Sequence, residues 1–153
     1  MKKFIIALAM GAMALLPLPA QAATPTNAPD AAAFAAQETL ANQWIETMIV
    51  QQKPEEAYKL LSPTAQKQIA QDKVVKAGKD IQAKWGKMQA LGFVAWERFT
   101  QADRISYVMK FEKAPAVHCM LIFDKQGGLE NFVLGEMQQN KDAKNQKTQS
   151  DKK

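Results

Sequence analysis

One cysteine and one histidine in 153 residues leave little for metal or thiol chemistry. A zinc site needs several such ligands. His118 and Cys119 are adjacent, so on a strand they point to opposite faces. A single cysteine also forbids an intrachain disulfide. Within the apolar run Val117–Phe123 it reads as a buried thiol acting as a small hydrophobe. Glycine is scarce, with seven in all, and no phosphate loop, dinucleotide fingerprint or serine-nucleophile elbow is formed from them. These gaps predict no metal and no cofactor.

Long apolar runs are equally rare. The longest, Phe4–Leu16, has thirteen residues, short of the roughly 20 needed to cross a bilayer as a helix. Its flanks give it another meaning. Lys2 and Lys3 precede it, Pro17 and Pro19 end it, and Ala20-Gln21-Ala22 supplies small residues on either side of one arbitrary one. That pattern predicts a signal peptide over residues 1–22, cut between Ala22 and Ala23, and hence a periplasmic or secreted chain. No cysteine lies near the cut to carry a lipid, and no second run predicts a transmembrane segment.

A dominant charge is missing too, despite a formal +5. Lys2 and Lys3 leave with the signal peptide. The segment 138–153 holds five lysines against Asp142 and Asp151. Residues 23–137 hold 13 basic and 13 acidic side chains. The core therefore has no bias toward nucleic acid or anionic membrane. Residues 138–153, polar and without apolar periodicity, read as a disordered basic tail.

What is present is periodicity. After a linker at 23–29, residues 30–137 read as one domain, with Asp30 capping a first helix. Phe34, Leu40, Ala41, Trp44, Ile45 and Met48 share one face of that helix; Gln37 falls on the same side as the exception. Pro54 opens a short second helix with Glu55 and Glu56 in its first turn. Ser62-Pro63 caps and opens a third, through about Ala70. Asp72 is placed to cap a fourth, in which Val74, Ile81, Trp85 and Met88 cluster. Its lysines, flanking Asp80, form a solvated face, since no aromatic is interleaved with them.

After Leu91 the period becomes two. Strands are expected over Gly92–Gln101, from Arg104 to Glu112, over Val117–Phe123 and over Leu129–Met137. The third is apolar on both faces, which places it in the middle of the sheet or under a second covering layer, most simply a second protomer. Asp124-Lys125-Gln126-Gly127-Gly128 supplies a hairpin loop with glycine for positive φ. Helices followed by an antiparallel meander define an α+β fold.

The stretch Trp44-Ile45-Glu46-Thr47-Met48, the run from Lys53 to Gln66 and the later Leu121–Phe132 resemble secreted bacterial members, of unknown function, of the nuclear transport factor 2-like superfamily. That resemblance implies a curved four-stranded sheet around a long helix, a cone with an apolar cavity, and a homodimer formed through the sheet. It implies no single activity.

Such a cavity would be lined by Trp44, Met48, Glu97, Tyr107 and Met109. Trp44, Met48 and Met109 sit equally at the spacing of an ordinary core. The aspartates fall at caps, turns, an exposed helix face or the tail. Glu97 shares parity with Phe93, Ala95 and Phe99. Two registers are open. In one, Glu97 faces the interior near Tyr107, as a desolvated carboxylate able to bind a polar group or move a proton. In the other, a bulge turns it outward beside Arg98. The leading expectation is a non-catalytic exported binding module for a small apolar ligand or a periplasmic protein. Its rivals are an isomerase or dehydratase using Glu97 and Tyr107, and a periplasmic immunity or inhibitor protein.

Overall fold

A computed structural model describes residues 28–137. The expected signal peptide, most of the linker and the tail lie outside the described residues. Helix α1 (Ala28–Ile45) runs into a π-helical turn (Glu46–Val50), then come α2 (Pro54–Lys59), α3 (Pro63–Gln68) and α4 (Gln71–Trp85). Strands β1 (Met88–Arg98), β2 (Asp103–Phe111), β3 (Val117–Phe123) and β4 (Leu129–Glu136) follow. They form one antiparallel sheet in the order β1-β2-β3-β4, so the fold is α+β. No described helix is long and apolar enough to cross a membrane.

The helices cover one face of this sheet. Ile105, Tyr107, Met109 and Phe111 of β2 point to them, as do Val117, Cys119, Leu121 and Phe123 of β3, all buried. They meet Ala41, Trp44, Ile45, Met48 and Ile49 from α1 and the π-turn. β3 is central and has the expected bounds. Its helix-facing residues are all buried, while His118, Met120 and Ile122 on the other face are half-buried.

Several boundaries differ from expectation. Asp30 lies in the first turn of α1 rather than capping it, and its carboxylate pairs with Arg98. Ser62 does cap α3, its hydroxyl accepting from the Ala65 N–H at 3.0 Å. Asp72 does not cap α4. The cap residue is Ala70, in extended geometry, and the Asp72 carboxylate accepts from the neighbouring Lys73 N–H. β1 begins at Met88, expected on the fourth helix, rather than at Gly92, because α4 ends at Trp85 with Gly86 as its cap and the chain then pairs with β2. Gly86 has φ +75°, open to glycine at low cost. Gly78 lies where α4 crosses α2. A Cβ there would come 2.9 Å from the Pro54 Cβ, so glycine permits the close approach.

Candidate functional site

Trp44, Met48, Tyr107 and Met109 are all buried. The Trp44 ring lies 4.6 Å from that of Phe132, and Tyr107 meets Phe93 edge-on at 6.0 Å. Met48 borders a surface groove, against Pro54 and Gly78. These residues pack as core, and the expectation that they line a cavity with Glu97 is corrected in part by Glu97 itself.

β1 carries a bulge between Phe93 and Ala95. Phe93 pairs with Tyr107 on the helix side, whereas Glu97 pairs with Arg104 on the other side of the sheet. The extra residue shifts parity by one, since side chains alternate strictly along a strand. Glu97 accepts two hydrogen bonds from the Arg104 guanidinium, at 2.9 and 2.6 Å, and is 43% exposed. Glu97 and Tyr107 are thus on opposite faces, and no acid–base pair forms between them. The outward register holds, with Arg104 as the partner rather than Arg98. Tyr107 is held neutral, burial pushing its hydroxyl up to about 12. Burial likewise pushes the Cys119 thiol up to about 12, making it inert as a nucleophile at neutral pH.

The carboxylate that does enter the protein is Asp103, expected at a turn but only 1% exposed at the start of β2. Gln37, the polar residue on the apolar side of α1, donates its amide to Asp103 Oδ2 at 2.8 Å. The Lys125 ammonium reaches Oδ1 at 2.6 Å and the Arg98 guanidinium reaches it at 3.3 Å. The Gln37 carbonyl accepts from the Trp96 indole at 2.8 Å. Burial alone would raise the Asp103 carboxyl. The bonds from Lys125, Gln37 and Arg98 outweigh burial and hold it below its ordinary value. One carboxylate therefore ties α1, β1 and the β3–β4 loop to β2. Its acceptor positions are engaged by these donors, which makes it an anchor rather than a base. The visible signal was Gln37 itself, since a glutamine on a core face demands a buried polar partner.

Open apolar surface lies elsewhere. A groove of about 430 Å³ runs between α4 and β4. Ala77, Ile81 and Trp85 form one wall; Phe132, Val133 and Leu134 form the other. Asp80 and Lys84 stand on its rim. At one end the Trp85 indole donates to Glu136 Oε1 at 2.6 Å, and Lys84 pairs with the same oxygen at 3.0 Å. Those two bonds hold the Glu136 carboxyl below its ordinary value. Asp80 pairs with Lys76, so the rim charges balance. On the far side of the molecule, Leu91, Phe93, Val94 and Phe99 expose further apolar surface along and just beyond β1. Among the described residues no group of three or more His, Cys, Asp or Glu side chains is placed to hold a metal.

An α+β protein with a buried apolar core, an anchored buried carboxylate and an apolar groove beside its last strand is the class the structure defines. Residues 42–132 match the family described as protein of unknown function (DUF3887), and the chain belongs to that family. No curated protein matches the chain.

Proposed function

We propose that this protein is an exported, non-catalytic binding module that engages a protein partner through its surface. The residue pattern of 1–22 supports export. The arrangement of a long first helix, short following helices and a four-stranded meander supports placing the domain, residues 30–137, within the nuclear transport factor 2-like superfamily. One observation carries the functional reading: the side chains expected to line a cavity are buried in the core, and large apolar side chains are exposed outside it. Trp44, Tyr107 and Met109 contact core neighbours, while Phe93 and Val94 are 51% and 55% exposed. Contiguous apolar surface on a soluble domain marks interaction sites. A small apolar ligand held inside would need space that those side chains occupy. An immunity or inhibitor protein is one form this function can take.

Two measurements test the reading. Native mass spectrometry of the mature chain, purified from the periplasm, is expected to show the cleaved polypeptide without a small molecule. A stoichiometric bound metabolite would overturn the proposal in favour of a ligand carrier. A photoreactive amino acid at Phe93 or Val133, introduced in living cells, is expected to give a discrete protein–protein crosslink. Absence of a specific crosslink from either position would count against a protein partner.

A further inference from the structure

β4 is an outer strand whose free backbone edge faces α4 across the groove. Hydrogen bonds at its two ends fix which residues point outward. The Met137 N–H donates inward to the Ala116 carbonyl, and the Leu129 carbonyl accepts from Ser62 N–H on the outer side. By the alternation of antiparallel pairing, the backbone groups of Phe132, Leu134 and Glu136 turn to the open edge. The Asn131 side chain already caps the Phe132 N–H at 2.8 Å. The Phe132 carbonyl and both groups of Leu134 are left for a partner.

The chain itself begins a fifth strand here and abandons it. Leu61 bridges Leu129 in parallel, and Pro63 then turns away into α3. Beyond that bridge, Phe132 to Glu136 is roughly 13 Å of unpaired edge at about 3.3 Å per residue. A strand laid along it sends alternate side chains toward the helices, into the groove walled by Ala77, Ile81 and Trp85.

We propose that the β4 edge and the α4 groove together bind an extended segment of a partner polypeptide as a fifth strand. The segment is four or five residues long, uncharged at its centre, with aliphatic side chains at alternate positions. This inference rests on the binding function above and names its mode. Backbone pairing along the edge supplies affinity, and the apolar wall selects side chains. The balanced rim charges favour an uncharged centre. One register of a second copy is disfavoured. Overlapping two β4 strands antiparallel about Val133 sets Glu130 opposite the other copy's Glu136, and like charges directly opposite destabilise a pair.

The test is selection of a phage-displayed random octapeptide library on the intact chain, with Leu134→Pro as the counter-target. Proline is tolerated on an open edge, where it removes the outward N–H without breaking the inner ladder. Ala77→Trp, which fills the groove from α4, is the second variant, and circular dichroism checks that both fold. The expected outcome is enrichment of alternating aliphatic sequences. The best peptide, made synthetically, should bind each variant at least tenfold more weakly. Its amide shift changes should centre on Phe132–Glu136 and the Trp85 indole. Equal binding by wild type and both variants would overturn the edge site and leave the broader binding function standing. So would shift changes confined to β1. No enrichment over the counter-target would also overturn it, with the crosslinks from Phe93 and Val133 judging the broader function separately. A concentration-dependent dimer that Leu134→Pro dissociates would assign the edge to a second copy and overturn it too.

Discussion

β1 and β4 are the two outer strands of one sheet, and they are built on different terms. β1 is eleven residues long, bulged twice and exposed along most of its length. β4 has eight residues and a single register shift near its start. Its inner residues lie against Trp44 and Trp85. Bulges twist a backbone edge away from pairing, one of the ways natural sheets blunt an outer strand. β1 is blunted in this way, whereas β4 past Asn131 stays regular. The difference teaches where the domain keeps its rigidity and where it keeps its capacity to pair. The core is anchored under β2 and β3, β4 joins it through Leu129, Phe132 and Leu134, and β1 is held mainly at the end where Trp96 and Arg98 meet the Asp103 cluster.

The sharpest way to break that comparison is to remove an anchor under β4. Trp44 is fully buried against Phe132, so Trp44→Ala is expected to cost about 3–5 kcal/mol through lost contacts and the cavity left behind. Phe93 on β1, half-exposed beside Phe34 and Tyr107, should cost only about 1–2 kcal/mol on the same change. Urea unfolding of both variants measures the ratio. Equal losses would mean that β1 is as firmly anchored as β4.

Asp103→Ala is next in size. It leaves Gln37 without its acceptor and Lys125 and Arg98 without a shared carboxylate. The expected loss is about 2–3 kcal/mol, discounted because both cations keep access to water. Its pH dependence has a definite sign. The folded carboxyl titrates below its ordinary value, about 3.9 in an unfolded chain. Its contribution is therefore present above about pH 4 and lost as pH falls through the folded value. Acid titrations of stability should converge for wild type and Asp103→Asn at the lowest pH, separate as pH rises from the folded value to about 4, and keep that separation above it. Parallel curves would show that Asp103 is not linked to folding in this way. At the alkaline end the sign reverses. Cys119 and Tyr107, both raised to about 12, stabilise the fold below their ordinary values, and that contribution drains away as pH rises toward 12. Cys119→Ala should flatten the slope that begins near pH 9.

These residues also mark how far the sequence could be read. The α+β order, the bounds of β3 and the Ser62 cap follow from local rules. Alternating apolarity, a two-faced apolar run and a serine before proline each specify one structure. Helix starts at Ala28 and Gln71 were harder, because Asp30 and Asp72 suit a first turn as well as a cap. Trp44, Met48 and Met109 recur at core spacing whether the space between them is filled or empty, so periodicity alone does not separate a cavity from a core. Gln37 was a visible flag on the apolar side of α1. Its partner lay 66 residues away and looked like a turn aspartate. The α4–β4 groove had no local signature, since it arises where two ordinary amphipathic elements pack side by side without closing.

The bulge at β1 decides between the two registers open to Glu97, and it yields the smallest and most discriminating prediction. Parity counted straight through from Phe93 to Phe99 sends Glu97 inward beside Tyr107. The register shift between Phe93 and Ala95 sends it outward to Arg104. Val94 sits between them, 55% exposed. Val94→Thr should change stability by no more than about 0.5 kcal/mol, because its side chain packs on little. Deleting Val94 is a different operation on the same residue. Phe93 still faces Tyr107 and Ala95 still faces Ser106, so removing the extra residue closes β1 into one regular register. Phe93 should keep Phe34 and Tyr107, and Glu97 should keep Arg104. Nuclear Overhauser contacts from the Phe93 ring read the outcome directly. Loss of its contacts with Phe34 after the deletion would mean that the near half had slipped, and that the bulge rather than the pairing with β2 sets where Phe93 points.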